Sequence, residues 1–335
     1  MEASKPLAAR RVLVTGADGF LGRTVVAALS RLPDIQHVVA LDVREVPADR
    51  RLPGVVYAVQ DVRTPEIGVT LGEHAIDTVV HLASIVTPGR GSTRQFEYSV
   101  DVLGTRNVLE ACIANGVSHI VVSSSGAAYG YHSDNPAWID EDDALRGNQA
   151  FAYSHHKRLV EEMLAAYRVS HPALRQTVLR IGTILGENVH NQITALFEKP
   201  RILAIRGSDS PFVFIWDEDV TGCVIHAITT GRAGCFNVAG DGALTLSQIA
   251  SILHKPMLVL PASLLKIALT IGSHLGLTRY GPEQLDFLRY RPVLSNKRLK
   301  DDFGYVPRKT SLEAFLAYKA AREARAQSQP AQANA

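Results

Sequence analysis

The chain has 335 residues, 46% of them apolar and 20% charged, the balance of a soluble globular protein that can bury a large core in one large domain or two unequal ones. Lys and Arg number 35 against 33 Asp and Glu, a formal charge of +2, so no strong overall field draws it to nucleic acid or anionic lipid. Cys112, Cys223 and Cys235 make an odd count with no C-x-x-C pair, which excludes a disulfide scaffold and a thiolate zinc site of usual spacing and fits a reducing cytoplasm.

Met1 to Arg10 lacks the apolar core of a secretory signal and reads as a loose leader. Short β-branched runs bounded by turn residues then recur: RVLVTG at Arg11, HVVALD at His37, VVYAVQD at Val55, DTVVHLA at Asp77 and HIVVSSS at His119. Between them Leu21 to Leu32 and Phe96 to Ala114 have helical spacing, and a helix from Tyr153 to Ser170 leads into a sixth strand, TVLRIG at Thr177. Strands alternating with helices of this size predict an α/β fold, a doubly wound parallel sheet of the Rossmann kind with right-handed crossovers. This first domain takes mainly residues 1–186. Beyond Gly186 the regularity fails among Pro200, Pro211, Pro256, Pro261, Pro282, Pro292 and Pro307, which predicts a smaller C-terminal substrate-binding domain, mainly 187–319, with elements interchanging between the two. The apolar stretch Met257 to Leu277 is interrupted by Pro261, Lys266 and His274, so it reads as a soluble amphipathic helix and not a membrane span. Residues 320–335, poor in apolar groups, read as a frayed helix end and disordered tail.

The first strand runs into Thr15-Gly16-Ala17-Asp18-Gly19-Phe20-Leu21-Gly22. In this G-x-x-G-x-x-G spacing Gly16 allows a tight turn, Gly19 lets backbone approach a pyrophosphate, and Gly22 lets the helix pack against the strand; the helix-start amides, at Phe20 and Leu21, then aim at phosphate. Asp42, at the end of the second strand, can accept hydrogen bonds from an adenosine ribose and repels a 2′-phosphate, which favours NAD over NADP, a preference that Arg44 weakens. Asp61 and Val62, ending the third strand, can meet the adenine, although Asp61 equally suits a strand-end cap. His81-Leu82-Ala83-Ser84 closes the fourth strand with small groups where a ribose or nicotinamide can lie, His81 itself reading as a core histidine.

Tyr153 and Lys157 are i and i+4 on a helix and so share a face. An ammonium beside a phenol favours phenolate, which lowers the tyrosine pKa toward working pH and suits a proton shuttle to an alcohol or carbonyl oxygen. Tyr305 and Lys309 repeat the spacing, but Gly304 and Pro307 deny them a helix. Ser123-Ser124-Ser125-Gly126 stands at the carboxyl end of the fifth strand, where open α/β sheets place ligands, and its Ser125 hydroxyl can bond a substrate oxygen as charge develops. No G-x-S-x-G supports a hydrolase, and His155-His156, being adjacent, do not make a helical metal pair.

TGADGFLG, HLAS, VDVLGTRNVLEA, SSSGAAYG, YSHHK and FNVAGDG, spread over about Arg11 to Tyr318, resemble signatures of the extended short-chain dehydrogenase/reductase family, its NAD-dependent epimerase/dehydratase group and its 3β-hydroxysteroid dehydrogenase-like relatives. The resemblance implies Tyr153 as acid/base, Lys157 as its modulator and ribose ligand, Ser125 as polariser of the substrate oxygen, and NAD over the Gly16 loop. It further implies Ser123 and Ile181 beside the cofactor, Ser84, Gly126 and Thr183 beside the substrate, and a homodimer through the Tyr153 helix and the helix near Val102.

Three departures bear on substrate. Sugar-nucleotide epimerases usually carry Asn where this chain has Asp101 and often where it has Thr183, and an arginine clamp on the diphosphate where it has Phe212-Val213-Phe214-Ile215-Trp216-Asp217. Phe212 cannot replace a guanidinium fork, and a buried anionic Asp101 would repel a diphosphate. With the apolar helix near Leu264, these features point to an NAD-dependent oxidoreductase acting on a hydroxy/oxo carbon of a small or apolar molecule. The alternatives are a nucleotide-sugar epimerase/dehydratase and a non-catalytic NAD-binding regulatory protein.

Overall fold

A computed structural model describes residues 10–89, 91–275, 281 and 285–328; the expected leader before Arg10 and the tail after Ser328 lie outside them. The first half alternates as the sequence predicts: β1 (Arg10–Thr15), α1 (Phe20–Leu29), β2 (Ile35–Asp42), β3 (Val55–Val59), α2 (Glu66–Glu73), β4 (Thr78–His81), α3 (Arg94–Tyr98), α4 (Gly104–Ala114), β5 (His119–Ser125), α5 (Ala152–Ser170) and β6 (Arg175–Ile181). There follow β7 (Thr183–Leu185), α6 (Gln192–Glu198), β8 (Ile202–Ile205), β9 (Phe214–Trp216), α7 (Asp217–Thr230), β10 (Gly234–Val238), α8 (Leu246–Ile252), β11 (Met257–Leu260), α9 (Ala262–His274), α10 (Leu285–Arg289) and α11 (Ser311–Ser328).

Seven strands form the central sheet in the order β10-β6-β5-β4-β1-β2-β3. The pairs β1–β2, β1–β4, β2–β3 and β4–β5 run parallel. Helices cover the sheet, so its strands are buried on both faces and read as unbroken apolar runs: Val12, Leu13 and Val14 of β1 are all enclosed. The strand order reverses between β1 and β4, and that reversal opens a crevice beyond their carboxyl ends. The helical run expected over Phe96 to Ala114 is continuous, but Ser99–Leu103 between α3 and α4 is a π-helical turn.

The chain divides into two compact units, the first comprising Met1–Ala128, Ala152–Arg180 and Thr221–Phe236, the second Tyr129–Phe151, Ile181–Val220 and Asn237–Ala335. The sequence reading anticipates interchange but draws its boundary at Gly186, later than the crossing at Ile181. The first unit's core joins Leu13, Val39, Val79 and Ile120 of the sheet to Leu71, Leu109 and Leu164 of the helices.

In the second unit Phe197, Phe212, Phe214 and Phe315 stack into a core with Trp216 and Tyr318. Phe212, Phe214 and Trp216 are therefore packing residues and give no support to an apolar substrate, correcting that expectation. The stretch Met257 to Leu277 is likewise not one helix: Met257–Leu260 pair with β8 as a parallel strand, and α9 begins only after Pro261, whose fixed φ suits a helix start. α11 keeps the chain helical to Ser328, past the fraying expected from Ala320. Among the described residues no helix is long and apolar enough to cross a membrane.

Candidate active site

β1 hands the chain to the glycine loop through a positive φ of 67° at Gly16, where a side chain would come within 2.8 Å of the Ala83 amide. A side chain at Gly22 would overlap the Gly16 carbonyl oxygen. The loop is thus as close to β4's exit and to the start of α1 as backbone allows, a cradle for a flat phosphate-bearing ligand. Gly19 caps α1 without a side-chain hydrogen bond, leaving the first-turn amides from Phe20, Leu21 and Gly22 uncapped by side chains. These features fit a dinucleotide.

At the ribose end Asp42 is buried, and it holds the loop as well as offering acceptors: its Oδ2 accepts from the Asp18 amide at 2.9 Å and its Oδ1 from the Arg44 amide at 3.1 Å. Each carboxylate oxygen keeps capacity for one more donor. Asp18, missed in the sequence reading, draws Arg23 to 2.9 Å, Arg50 to 3.3 Å and Arg44 to 3.9 Å. Its signal was the acid inside the glycine loop itself. Asp61 is taken by Arg63, whose guanidinium sits 2.6 Å from it and holds its carboxyl below the usual range. Val62 is buried against Gly104, its carbonyl accepting from Asn107 at 2.8 Å.

β4's exit is tied to the same place. His81 is buried between the hydroxyls of Thr15 at 2.8 Å and Thr105 at 3.0 Å; burial and the nearby Lys157 push it down to about 3, so it is a neutral core histidine. The Leu82 and Ala83 amides reach the Thr15 hydroxyl at 3.2 and 3.3 Å, and the Ser84 hydroxyl donates to Asp101 at 3.0 Å.

The structure brings Ser125, Tyr153 and Lys157 together. Ser125, at the end of β5, hydrogen-bonds the Tyr153 phenol, and Lys157, one turn along α5, is buried with its Nζ donating to the Ser123 carbonyl at 2.9 Å. That ammonium lies 5.8 Å from the Tyr153 ring centroid. Ser123 in turn reaches the His81 carbonyl at 3.4 Å, so a chain of contacts runs from the glycine turn through Thr15, His81 and Ser123 to Lys157. Gly126 is buried just beyond Ser125.

One expectation fails in sign. The Tyr153 phenol is pushed up to about 12, first by burial and then by the charge of Asp101, with the Ser125 hydrogen bond opposing. Burial also lowers Lys157, against Asp101 and Glu161, so in this state the amine does not make the phenol acidic. Ser124 points away, to Glu161 at 2.5 Å, and Glu161 is held by Arg180 at 2.7 Å in a buried pair. Tyr305 and Lys309 part company: the phenol donates to Asp219 at 3.1 Å and the ammonium lies over Trp216.

Asp101 is engaged by Ser84, the Ile85 amide at 2.8 Å and His156 at 3.1 Å. Ile181 and Thr183 belong to the second unit, Ile181 buried at the end of β6 and Thr183 half-buried in β7 with its amide on the Val213 carbonyl at 3.3 Å. That unit also holds Arg291, which the sequence reading passed over. Its guanidinium lies 3.8 Å over the Phe212 ring and donates to the Ser210 carbonyl at 3.2 Å, while Nε has no hydrogen-bond partner among the described residues. Burial lowers its pKa, and it remains a cation at neutral pH.

The profile of the NAD dependent epimerase/dehydratase family matches residues 12–238. The uncharacterized protein Rv0501 of Mycobacterium tuberculosis is 27% identical over 310 residues, 92% of this chain and 82% of that protein. Among solved structures, UDP-glucose 4-epimerase of Thermotoga maritima with UDP-glucose has a TM-score of 0.72 at 18% identity, covering 94% of this chain and 99% of that one. A dTDP-glucose 4,6-dehydratase of Bacillus anthracis in complex with NAD has a TM-score of 0.72 at 16% identity over 95% and 98%. The crevice, the glycine loop and the matched family together place this chain: it belongs to the NAD dependent epimerase/dehydratase family, and is an NAD-dependent enzyme of the extended short-chain dehydrogenase/reductase type.

Proposed function

We propose that the chain moves a hydride between NAD and a hydroxyl-bearing or carbonyl carbon of a small-molecule substrate, with Tyr153 carrying the proton. The observation behind this reading is the Ser125 to Tyr153 hydrogen bond at the end of β5, with Lys157 anchored on Ser123 one residue pair away. Bound NAD supplies the hydride acceptor or donor. Gly16, Gly19, Gly22 and the α1 amides hold its phosphates, Asp42 its ribose, and Ala83 and Ser84 the wall of the crevice. Ser125 orients the substrate oxygen through its hydroxyl. Tyr153, which holds its proton firmly, gives it to that oxygen when a carbonyl is reduced and takes it back when an alcohol is oxidised. Lys157, anchored on Ser123, counters the negative charge that the Tyr153 oxygen carries once its proton is given up.

One observation favours a second reading, that the substrate bears phosphate as a nucleotide-sugar does. Arg291 is a half-buried cation whose Nε is unpartnered among the described residues, and a guanidinium with no carboxylate in ion-pair contact among the described residues suits an anionic ligand. The names of the structural neighbours run the same way. Incubating the protein and NAD with a panel of nucleotide-sugars and of apolar secondary alcohols decides between the readings. Free NADH released with an apolar alcohol supports an oxidoreductase on apolar substrates; a rearranged sugar with no net change in NAD supports the second; reaction with neither removes the proposed chemistry. We further assign a homodimer built on α4 and α5, checked by sedimentation, and a cytoplasmic location consistent with three free cysteines.

A further inference from the structure

Asp101 lies in the π-helical turn between α3 and α4 and is only 4% exposed. Three elements meet on its carboxylate. Oδ1 accepts from the Ser84 hydroxyl and the Ile85 amide beyond β4, and Oδ2 faces Nδ1 of His156 in α5. The backbone of Asp101 is fixed too, its carbonyl accepting from the Thr105 hydroxyl at 2.6 Å. Ser84 follows Ala83, which lies against Gly16, and His156 precedes Lys157. One carboxylate therefore joins the cofactor crevice to the helix that carries Tyr153 and Lys157.

A structural clamp alone does not require a charge here. Asparagine would accept the Ser84 and Ile85 bonds equally and spare the desolvation of a buried anion. The charge has an evident counterpart. The buried Lys157 ammonium has the Ser123 carbonyl as its hydrogen-bond acceptor and is faced by His81 from β4, Glu161 from its own helix and Asp101 from the π-helical turn. His81 is neutral, and Glu161 is already matched by the Arg180 guanidinium from β6. Among the described residues the side chain that meets Asp101 Oδ2 is the His156 imidazole, at 3.1 Å, with no arginine or lysine in ion-pair contact.

We propose that Asp101 is a positioning residue for the reaction: through Ser84 and His156 it fixes the crevice wall to α5, and its carboxylate supplies negative charge beside the pair of Tyr153 and Lys157. The direction of both neighbours agrees, Asp101 raising Tyr153 as well as Lys157. The inference rests on Tyr153 being the proton carrier, and its test reads the phenol without turnover.

Carbon-labelled tyrosine is titrated by NMR in the full chain, the Tyr153 signal assigned by its loss in Tyr153→Phe. Asp101→Asn keeps shape and the Oδ1 acceptor but removes the charge, and Tyr153 then ionises about one unit lower. His156→Phe removes a partner and leaves the anion less shielded, so Tyr153 ionises higher; this variant carries the test if Asp101→Asn does not fold. A clamp without an electrostatic role would lower thermal stability in both variants with Tyr153 unmoved, and that result overturns the proposal. A shifted phenol in Asp101→Asn, found together with full turnover in Tyr153→Phe, would remove the proposed proton carrier and leave the coupling standing.

Discussion

Replacing Gly22 by alanine tests the cofactor cradle with a single methyl group. Built on the observed backbone, that methyl lies 2.7 Å from Ala17 Cα and 2.8 Å from its carbonyl carbon, and overlaps the Gly16 carbonyl oxygen. Carbon contacts want roughly 3.5–4 Å, and every obstructing atom is backbone, so either the loop or α1 must retreat. Overpacking of this kind costs about 1–3 kcal/mol, and rigid neighbours place it at the upper end. If the loop yields, NAD affinity falls about 100-fold, since each 1.4 kcal/mol is roughly tenfold; if α1 yields, the same energy is lost from the stability of the fold. Calorimetric NAD binding and denaturant unfolding, measured on the same preparation, capture both routes. Gly68→Ala in α2 is the control: its nearest neighbour is the Asn115 amide at 3.7 Å, and a helical alanine there adds about 0.5–1 kcal/mol. Wild-type stability together with wild-type NAD affinity in Gly22→Ala would refute the close approach of loop and helix.

Asp42→Ala removes acceptors for the Asp18 and Arg44 amides as well as for a ribose, so NAD binding weakens and the NAD to NADP preference narrows; binding titrations with both cofactors check this. Glu161→Gln leaves the buried Arg180 without its counter-charge and costs about 3–5 kcal/mol in denaturant unfolding. His81 and His119 are pushed by burial to about 3 and about 4. They stay neutral in the fold while the unfolded chain protonates near 6.5, so their stabilisation is complete above that pH and is lost as pH falls toward 4 and then 3. His81→Asn flattens the acid limb of the unfolding curve.

The sheet was legible because its strands are short, β-branched and separated by helical spacing, as in RVLVTG and HIVVSSS. The glycine turn and the Tyr153 helix were legible because each demands particular residues at fixed spacing. Environment was not. Spacing places Lys157 near Tyr153, but the sign of the phenol's shift depends on burial and on Asp101, which folding delivers from another helix. Phe212, Phe214 and Trp216 read as a pocket or as a core equally well until Phe197 and Phe315 close on them. Arg291 was invisible for a related reason: its contact with Phe212 spans a long separation along the chain, and no local pattern announces it.

The central claim, that Tyr153 carries the proton in an NAD-linked reaction, is tested most directly by a single-turnover measurement on Tyr153→Phe with the substrate that the wild type accepts. The account predicts NAD affinity within about twofold of wild type and a hydride-transfer step slower by about a hundredfold to ten-thousandfold. An unchanged rate would contradict it.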